Sequence, residues 1–261
     1  MPLKTYSSEQ PVADPEDLCS PSLHDALAQR GPGMTRLQRH RAGETVAAVA
    51  CDLGYVGSVV SGILRLIRTT DDGHRQIVAF LTPSDVFGGA FSEHEDYAVE
   101  AVTDATVRQL DRRAVEELLN RRPCLERQFM QRSLRALHRA RELVSLLGYR
   151  SVRQRLAGFL LAELGHPRVT TLRPGDDLTL EIPRLDLANY LATSPESVCR
   201  SLRDLDRHGL ITILDPGRFV IRDRQGLRQL AEGRADPATR GHGLSECNGH
   251  GGAPAPHGVR L

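Results

Sequence analysis

The chain has 261 residues, with 34 Lys plus Arg against 33 Asp plus Glu, and that length allows two domains with separate cores. Balanced charge leaves any affinity for a polyanion to local clustering. No apolar run reaches the ~20 residues that span a bilayer, and Pro, Asp, Glu and Ser dominate the start, so a cytoplasmic protein without a membrane segment is expected.

Residues 1–30 carry no periodicity and are read as a mobile segment. From 31 to 120 short strands alternate with turns. Arg41 to Val46 gives a turn and strand, Ser61-Gly62 divides two apolar runs, and Asp71-Asp72-Gly73 leads into Gln76 to Leu81. This spacing predicts a small antiparallel double sheet, and with the helices that follow an α+β chain.

A long helix is expected across 121–149, starting at Pro123. Phe129, Ser133, Ala136, Ala140, Leu143 and Leu147 recur by four and three, flanked by Met130, Leu134, Leu137 and Val144. That is a coiled-coil seam and predicts a homodimer. Packing of the same helix onto its own double sheet is the alternative, and both can hold on different faces.

Within 150–232, Leu187, Ala188 and Leu191 offer one apolar face, and Val198, Leu202 and Leu205 offer another beyond a short turn. Ser194-Pro195 is a helix start: the hydroxyl can cap free amides, and proline at the first position loses no helical hydrogen bond. Glu196 and Arg200 then share a face. A guanidinium can pair with guanine O6 and N7, whereas a carboxylate can only accept, as from cytosine N4. The plainer reading is a solvated ion pair of ~0.3 to 0.5 kcal/mol. Gly209 stops the helix, and two apolar runs flank Asp215-Pro216-Gly217, which completes a winged helix-turn-helix and makes double-stranded DNA the expected partner. Ser194, Glu196, Ser197, Cys199, Arg200 and Arg203 are the expected DNA-facing residues. The segment 233–261, rich in Gly, Pro, Ala and His, is read as a disordered tail in which His242, Cys247, His250 and His257 form no metal site.

The run Asp186-Leu187-Ala188-Asn189-Tyr190-Leu191, followed by Glu196-Ser197-Val198-Cys199-Arg200-Ser201-Leu202, resembles the DNA-binding domain of Crp/Fnr bacterial transcription regulators, nearest the FixK branch. That branch carries Glu-x-x-Ser-Arg where this chain has Glu196-x-x-Cys199-Arg200. The resemblance implies an N-terminal jelly roll of the cyclic-nucleotide-binding kind, a dimerisation helix and a C-terminal winged domain. It also implies a site like TTGAT, four bases, ATCAA, with Arg200 on the guanine and Glu196 on the cytosine or adenine side. Contact with RNA polymerase, activation, and control of microaerobic respiration, nitrogen fixation or denitrification genes follow from the same likeness.

The family's sensing chemistry is not carried over. Cyclic-AMP binders hold the phosphate with Gly-Glu-Leu and Arg-Ser, whereas Gly88 to Ala98 has no arginine and contains Glu93, Glu95 and Asp96, which would repel an anion. The Fnr iron-sulfur cluster needs four thiolates. Cys19 is the only cysteine in the N-terminal segment, and the late-strand position falls near Arg108; Cys19, Cys51 and Cys124 could in principle converge, but they show no ligand spacing and are read as isolated residues, so no cofactor or metal is expected. A haem or nitric-oxide sensor using His24, His40, His74 or His94 is the alternative within the family. An enzymatic or ligand-binding jelly roll is the alternative outside it, but no His-x-His cluster or base-nucleophile pair supports catalysis. Cys199 is a possible redox point, since a thiol near a helix start beside Arg200 favours thiolate; simple replacement of serine is the plainer account.

Overall fold

The computed structural model describes Ala26 and residues 35–48, 54–88, 97–149 and 151–234. The segments expected to be mobile, 1–30 and 233–261, lie outside the described residues except for Ala26, Gly233 and Arg234.

Strands β1 (Thr35–His40), β2 (Thr45–Ala47), β3 (Tyr55–Ser61), β4 (Leu64–Thr69), β5 (Arg75–Leu81), β6 (Val86–Phe87), β7 (Ala98–Ala101) and β8 (Ala105–Asp111) form two antiparallel sheets. Their orders are β1-β8-β3-β6 and β2-β7-β4-β5. Val59, Phe87 and Val107 of the first sheet meet Leu64, Leu81 and Val99 of the second in an apolar interior. Glycine is required at position 57, because a Cβ there would lie 2.2 Å from Phe87 Cζ; its absence lets the ring fill the sandwich.

Each sheet uses its outer face differently. On the first, Val56 and Leu110 pack against Val115, Leu118 and Leu119 of α1 (Arg112–Arg121) and Leu125 of α2 (Pro123–Leu147). On the second, Ile67, Ile77 and Phe80 share a core with Leu187, Ala188 and Leu191 of the C-terminal region. The sandwich therefore carries α1 and the start of α2 on one side and the helix-turn-helix on the other.

The C-terminal region runs α3 (Val152–Gly165), β9 (Thr170–Arg173), β10 (Asp177–Leu180), α4 (Arg184–Tyr190), α5 (Pro195–Arg207), β11 (Ile211–Asp215), β12 (Arg218–Ile221) and α6 (Arg224–Ala231). α3 starts at a capping box: Ser151 Oγ accepts from the Gln154 amide, and the Gln154 side chain accepts from the Ser151 amide. The expected two-stranded wing is half of a four-stranded sheet, β11-β12-β10-β9.

One sequence expectation is corrected. Cys124, read as isolated, is exposed at the start of α2 and disulfide-bonded, while Cys199 is free. Cysteines distant in sequence can meet in space, and spacing gives no warning of it.

Candidate nucleic-acid interface

The second helix of the helix-turn-helix, α5, is set by local chemistry at both ends. α4 closes with Ala192 at φ +50° and the Thr193 amide donating to Ala188 O at 3.0 Å, a Schellman-type end. Ser194 then caps α5, its Oγ accepting from the Ser197 amide at 3.2 Å, with Pro195 at the first helical position. Val198, Leu202 and Leu205 are buried against Leu187, Ala188 and Leu191. Gly209, at φ +69°, ends the helix.

The opposite face is turned outward. Glu196, Arg200 and Arg203 are exposed, Ser197 and Cys199 are half-buried, and Ser194 is exposed at the cap. Among the described residues no ion pair joins Glu196 to Arg200, and both side chains stand in solvent. The Glu196 carboxyl is held below its ordinary range by its own backbone N–H and by the Ser194 hydroxyl. It is therefore an ionised acceptor at neutral pH.

The wing is fastened to both helices. Asp206 of α5 accepts from the Ile213 amide at 3.1 Å, and Arg184 of α4 donates to the Pro216 carbonyl while lying 4.8 Å from the Phe219 ring centroid. Burial lowers the Arg184 guanidinium, and the nearby Cys199 sulfur acts in the opposite direction.

Beside Arg200 opens a cleft of about 630 Å³, walled by Ser197, Ser201 and Asp204 of α5 and by Ser151, Arg153 and Gln154 at the start of α3. The positive end of α3 and Arg200 thus adjoin the outward face of α5, while the Asp204 carboxylate on the same wall is paired with Arg207. Sequence reasoning missed the three α3 residues, although Ser151-x-x-Gln154 is a legible capping signal.

The residues expected in the dimer seam divide by environment. Leu143 is 6% exposed and Phe129 is packed on the α1 cluster, so these two belong to the protomer's own core. Leu147 is half-buried, and Ser133, Ala136 and Ala140 are exposed. The large outward side chains are the flanking ones: Met130 at 58%, Leu134 at 57%, Leu137 at 46% and Val144 at 72%. Arg141 lies in register with that stripe.

On the sensing side, the segment around Glu93, Glu95 and Asp96 lies outside the described residues, as do His24, His94, Cys19 and Cys51. His40 is buried at the end of β1, with Nδ1 3.9 Å from Glu44, and His74 is exposed in the β4–β5 turn. Among the described residues no three His, Cys, Asp or Glu side chains are grouped to hold a metal. No helix there is long and apolar enough to cross a membrane.

Residues 154–230 match the Crp-like helix-turn-helix domain, and residues 37–122 match the cyclic nucleotide-binding domain. The nitrogen fixation regulation protein FixK of Bradyrhizobium diazoefficiens is 32% identical over 205 residues, covering 78% of this chain and 85% of the relative. The chain belongs to the Crp/Fnr family. Another Crp/Fnr relative, the transcriptional activator protein FnrL of Cereibacter sphaeroides, is 31% identical over 187 residues, covering 70% of this chain and 75% of its own. Among solved Crp/Fnr structures, FixK2 from Bradyrhizobium japonicum superposes with a TM-score of 0.67 at 29% identity, over 75% of this chain and 96% of that one. The FixK-like resemblance, the sandwich and the winged domain are thus established, and the Crp/Fnr relatives are transcription regulators, not enzymes.

Proposed function

We propose that this Crp/Fnr protein is a homodimer that reads a TTGAT-N4-ATCAA-like palindrome, with Arg200 on the guanine and Glu196 on the cytosine or adenine side. The observation that carries the reading is the outward face of α5, where Glu196 and Arg200 stand exposed one turn apart without pairing to each other. The cleft beside it supplies a seat for the DNA backbone. The exposed stripe Met130, Leu134, Leu137 and Val144 supports a second copy across α2, which would place two reading helices in successive major grooves.

FixK and FnrL are named as a nitrogen fixation regulator and a transcriptional activator. By that likeness we infer activation of oxygen- or nitrogen-oxide-related genes, nitrogen fixation among them, in the cytoplasm and through contact with RNA polymerase. Neither a cyclic nucleotide nor an iron-sulfur cluster takes part. Support comes from the sequence between Gly88 and Ala98, which lacks an arginine and carries three acids, and from the apolar side chains that fill the described sandwich interior. A Soret band or an iron-sulfur shoulder in protein purified anaerobically would overturn this cofactor-free part.

The docking is tested by Arg200→Ala on duplexes that vary the half-site guanine. Loss of discrimination worth ~1 to 3 kcal/mol is expected. An unchanged preference for guanine would overturn the assignment.

A further inference from the structure

Arg155 belongs to α3, yet its guanidinium serves two other parts of the chain. Nη1 donates to the Leu191 carbonyl at 2.9 Å and to the Ala192 carbonyl at 3.2 Å, and Nε donates to the Tyr149 carbonyl at 3.3 Å. Tyr149 follows the last turn of α2, capped at Gly148. Leu191 and Ala192 form the turn before α5. One planar group therefore holds both the end of the dimer helix and the turn that aims the reading helix.

That turn needs an outside partner. Its pivot, Ala192, occupies the left-handed region that favours glycine and strains an L side chain. The carbonyls of Leu191 and Ala192 have passed the end of α4 and receive Arg155 instead. Arginine suits the task because its N–H groups lie fixed in one plane, so the three acceptors cannot move independently without breaking a bond. A lysine ammonium has no such fixed plane.

We propose that Arg155 is a positioning residue that locks the orientation of α5 relative to α2, and thereby sets the half-site spacing the dimer accepts. The inference rests on the palindrome reading above. One added base pair moves a half-site by about 3.4 Å and rotates it by about 35°. Selectivity for spacing consequently reports the stiffness of the link between α2 and α5, whereas base preference inside one half-site reports the face of α5 alone.

The test titrates full-length protein against labelled duplexes whose two half-sites are separated by three, four, five or six base pairs. Wild type is expected to prefer one spacer, and Arg155→Gln to lower that preference by about tenfold while keeping its preference for the half-site guanine. Arg155→Lys should recover part of the selectivity, and it reads the same ratio should the glutamine variant not fold. Spacer selectivity equal to wild type in folded Arg155→Gln, or in the lysine variant when it alone folds, would overturn the inference and leave the palindrome intact. An even loss of affinity across all spacers would likewise reduce Arg155 to a structural residue. A wild type indifferent to spacing would overturn the palindrome reading itself, and this inference with it.

Discussion

Arg65 of β4 donates a hydrogen bond to Asp186 of α4, 121 residues further along the chain, across the junction between the sandwich and the helix-turn-helix. The same guanidinium reaches Glu100 at 2.7 Å, and Arg75 shares that carboxylate at 2.6 Å. Asp186 is 2% exposed, so its charge has exchanged water for this partner. Removing one member of such a pair leaves a buried charge uncompensated, at ~3 to 5 kcal/mol. Arg65→Met should therefore destabilise the chain by about that amount in urea, and the double variant Arg65→Met with Asp186→Leu should recover most of it. Equal destabilisation by the single and double variants would show that packing, not charge, holds the junction.

Glu100 gives the junction a pH dependence of known sign. Burial raises its carboxyl, but hydrogen bonds and charge from Arg65 and Arg75 outweigh burial and hold it below the ordinary glutamate value. A carboxyl depressed in the folded state stabilises it above the unfolded value of about 4.3, and the benefit is lost as pH falls through the lower folded value. Urea midpoints of wild type and Glu100→Gln should differ by a constant amount above about pH 5 and converge as pH falls through the lower folded-state value. A difference that persists unchanged into strong acid would mean that Glu100 acts as a packing residue.

These junction groups also mark where sequence reasoning stops. The helix start at Ser194-Pro195, the stop at Gly209, the turns at Gly62 and Asp215-Pro216-Gly217 and the start of α2 at Pro123 are local chemistry, and each stands where the residues place it. The outward placement of Glu196, Arg200 and Arg203 followed from the same local pattern. Arg65 and Asp186 offer no local signal, because a pair separated by 121 positions is joined only by tertiary packing. The phase of the α2 stripe was hidden for a related reason: two apolar rows run along that helix, and only packing against the protomer decides that Leu143 turns inward and Leu134 outward. The strands β9 and β10 were missed because they are four residues each, though Pro174-Gly175 marks the turn between them.

Ala192 carries an exposed methyl at φ +50°, so replacing it removes strain without removing buried surface. Ala192→Gly should raise stability by roughly 1 kcal/mol by relieving the left-handed conformation, seen as a higher thermal midpoint. Spacer preference on DNA should stay as in wild type, since Arg155 bonds to backbone carbonyls that glycine retains. A lowered midpoint would indicate that the entropy lost by glycine exceeds the strain removed.

The stripe on α2 separates dimerisation from folding. Leu134 is 57% exposed and Leu137 is 46% exposed in the protomer, so a carboxylate at either position costs little to the isolated fold. Across a symmetric seam the same carboxylate meets its own copy. Leu134→Glu should sediment as a monomer with a near wild-type thermal midpoint and bind a single half-site without cooperativity. A variant that stays dimeric at micromolar concentration would move the interface off this stripe.

Cys199 lies on α5 immediately before Arg200, half-buried and free, near the Arg184 guanidinium. Oxidation to a sulfenic acid adds a polar oxygen between the reading face and the wing that Arg184 ties to α4. Mild peroxide should weaken binding of the wild type to the palindromic duplex by about tenfold, and a thiol reductant should restore it. Cys199→Ser should bind with near wild-type affinity and ignore peroxide, because serine differs only in a smaller, more polar atom and lacks the redox chemistry. Equal losses in both proteins would remove Cys199 from control and leave it as a tolerated replacement for serine on the reading helix.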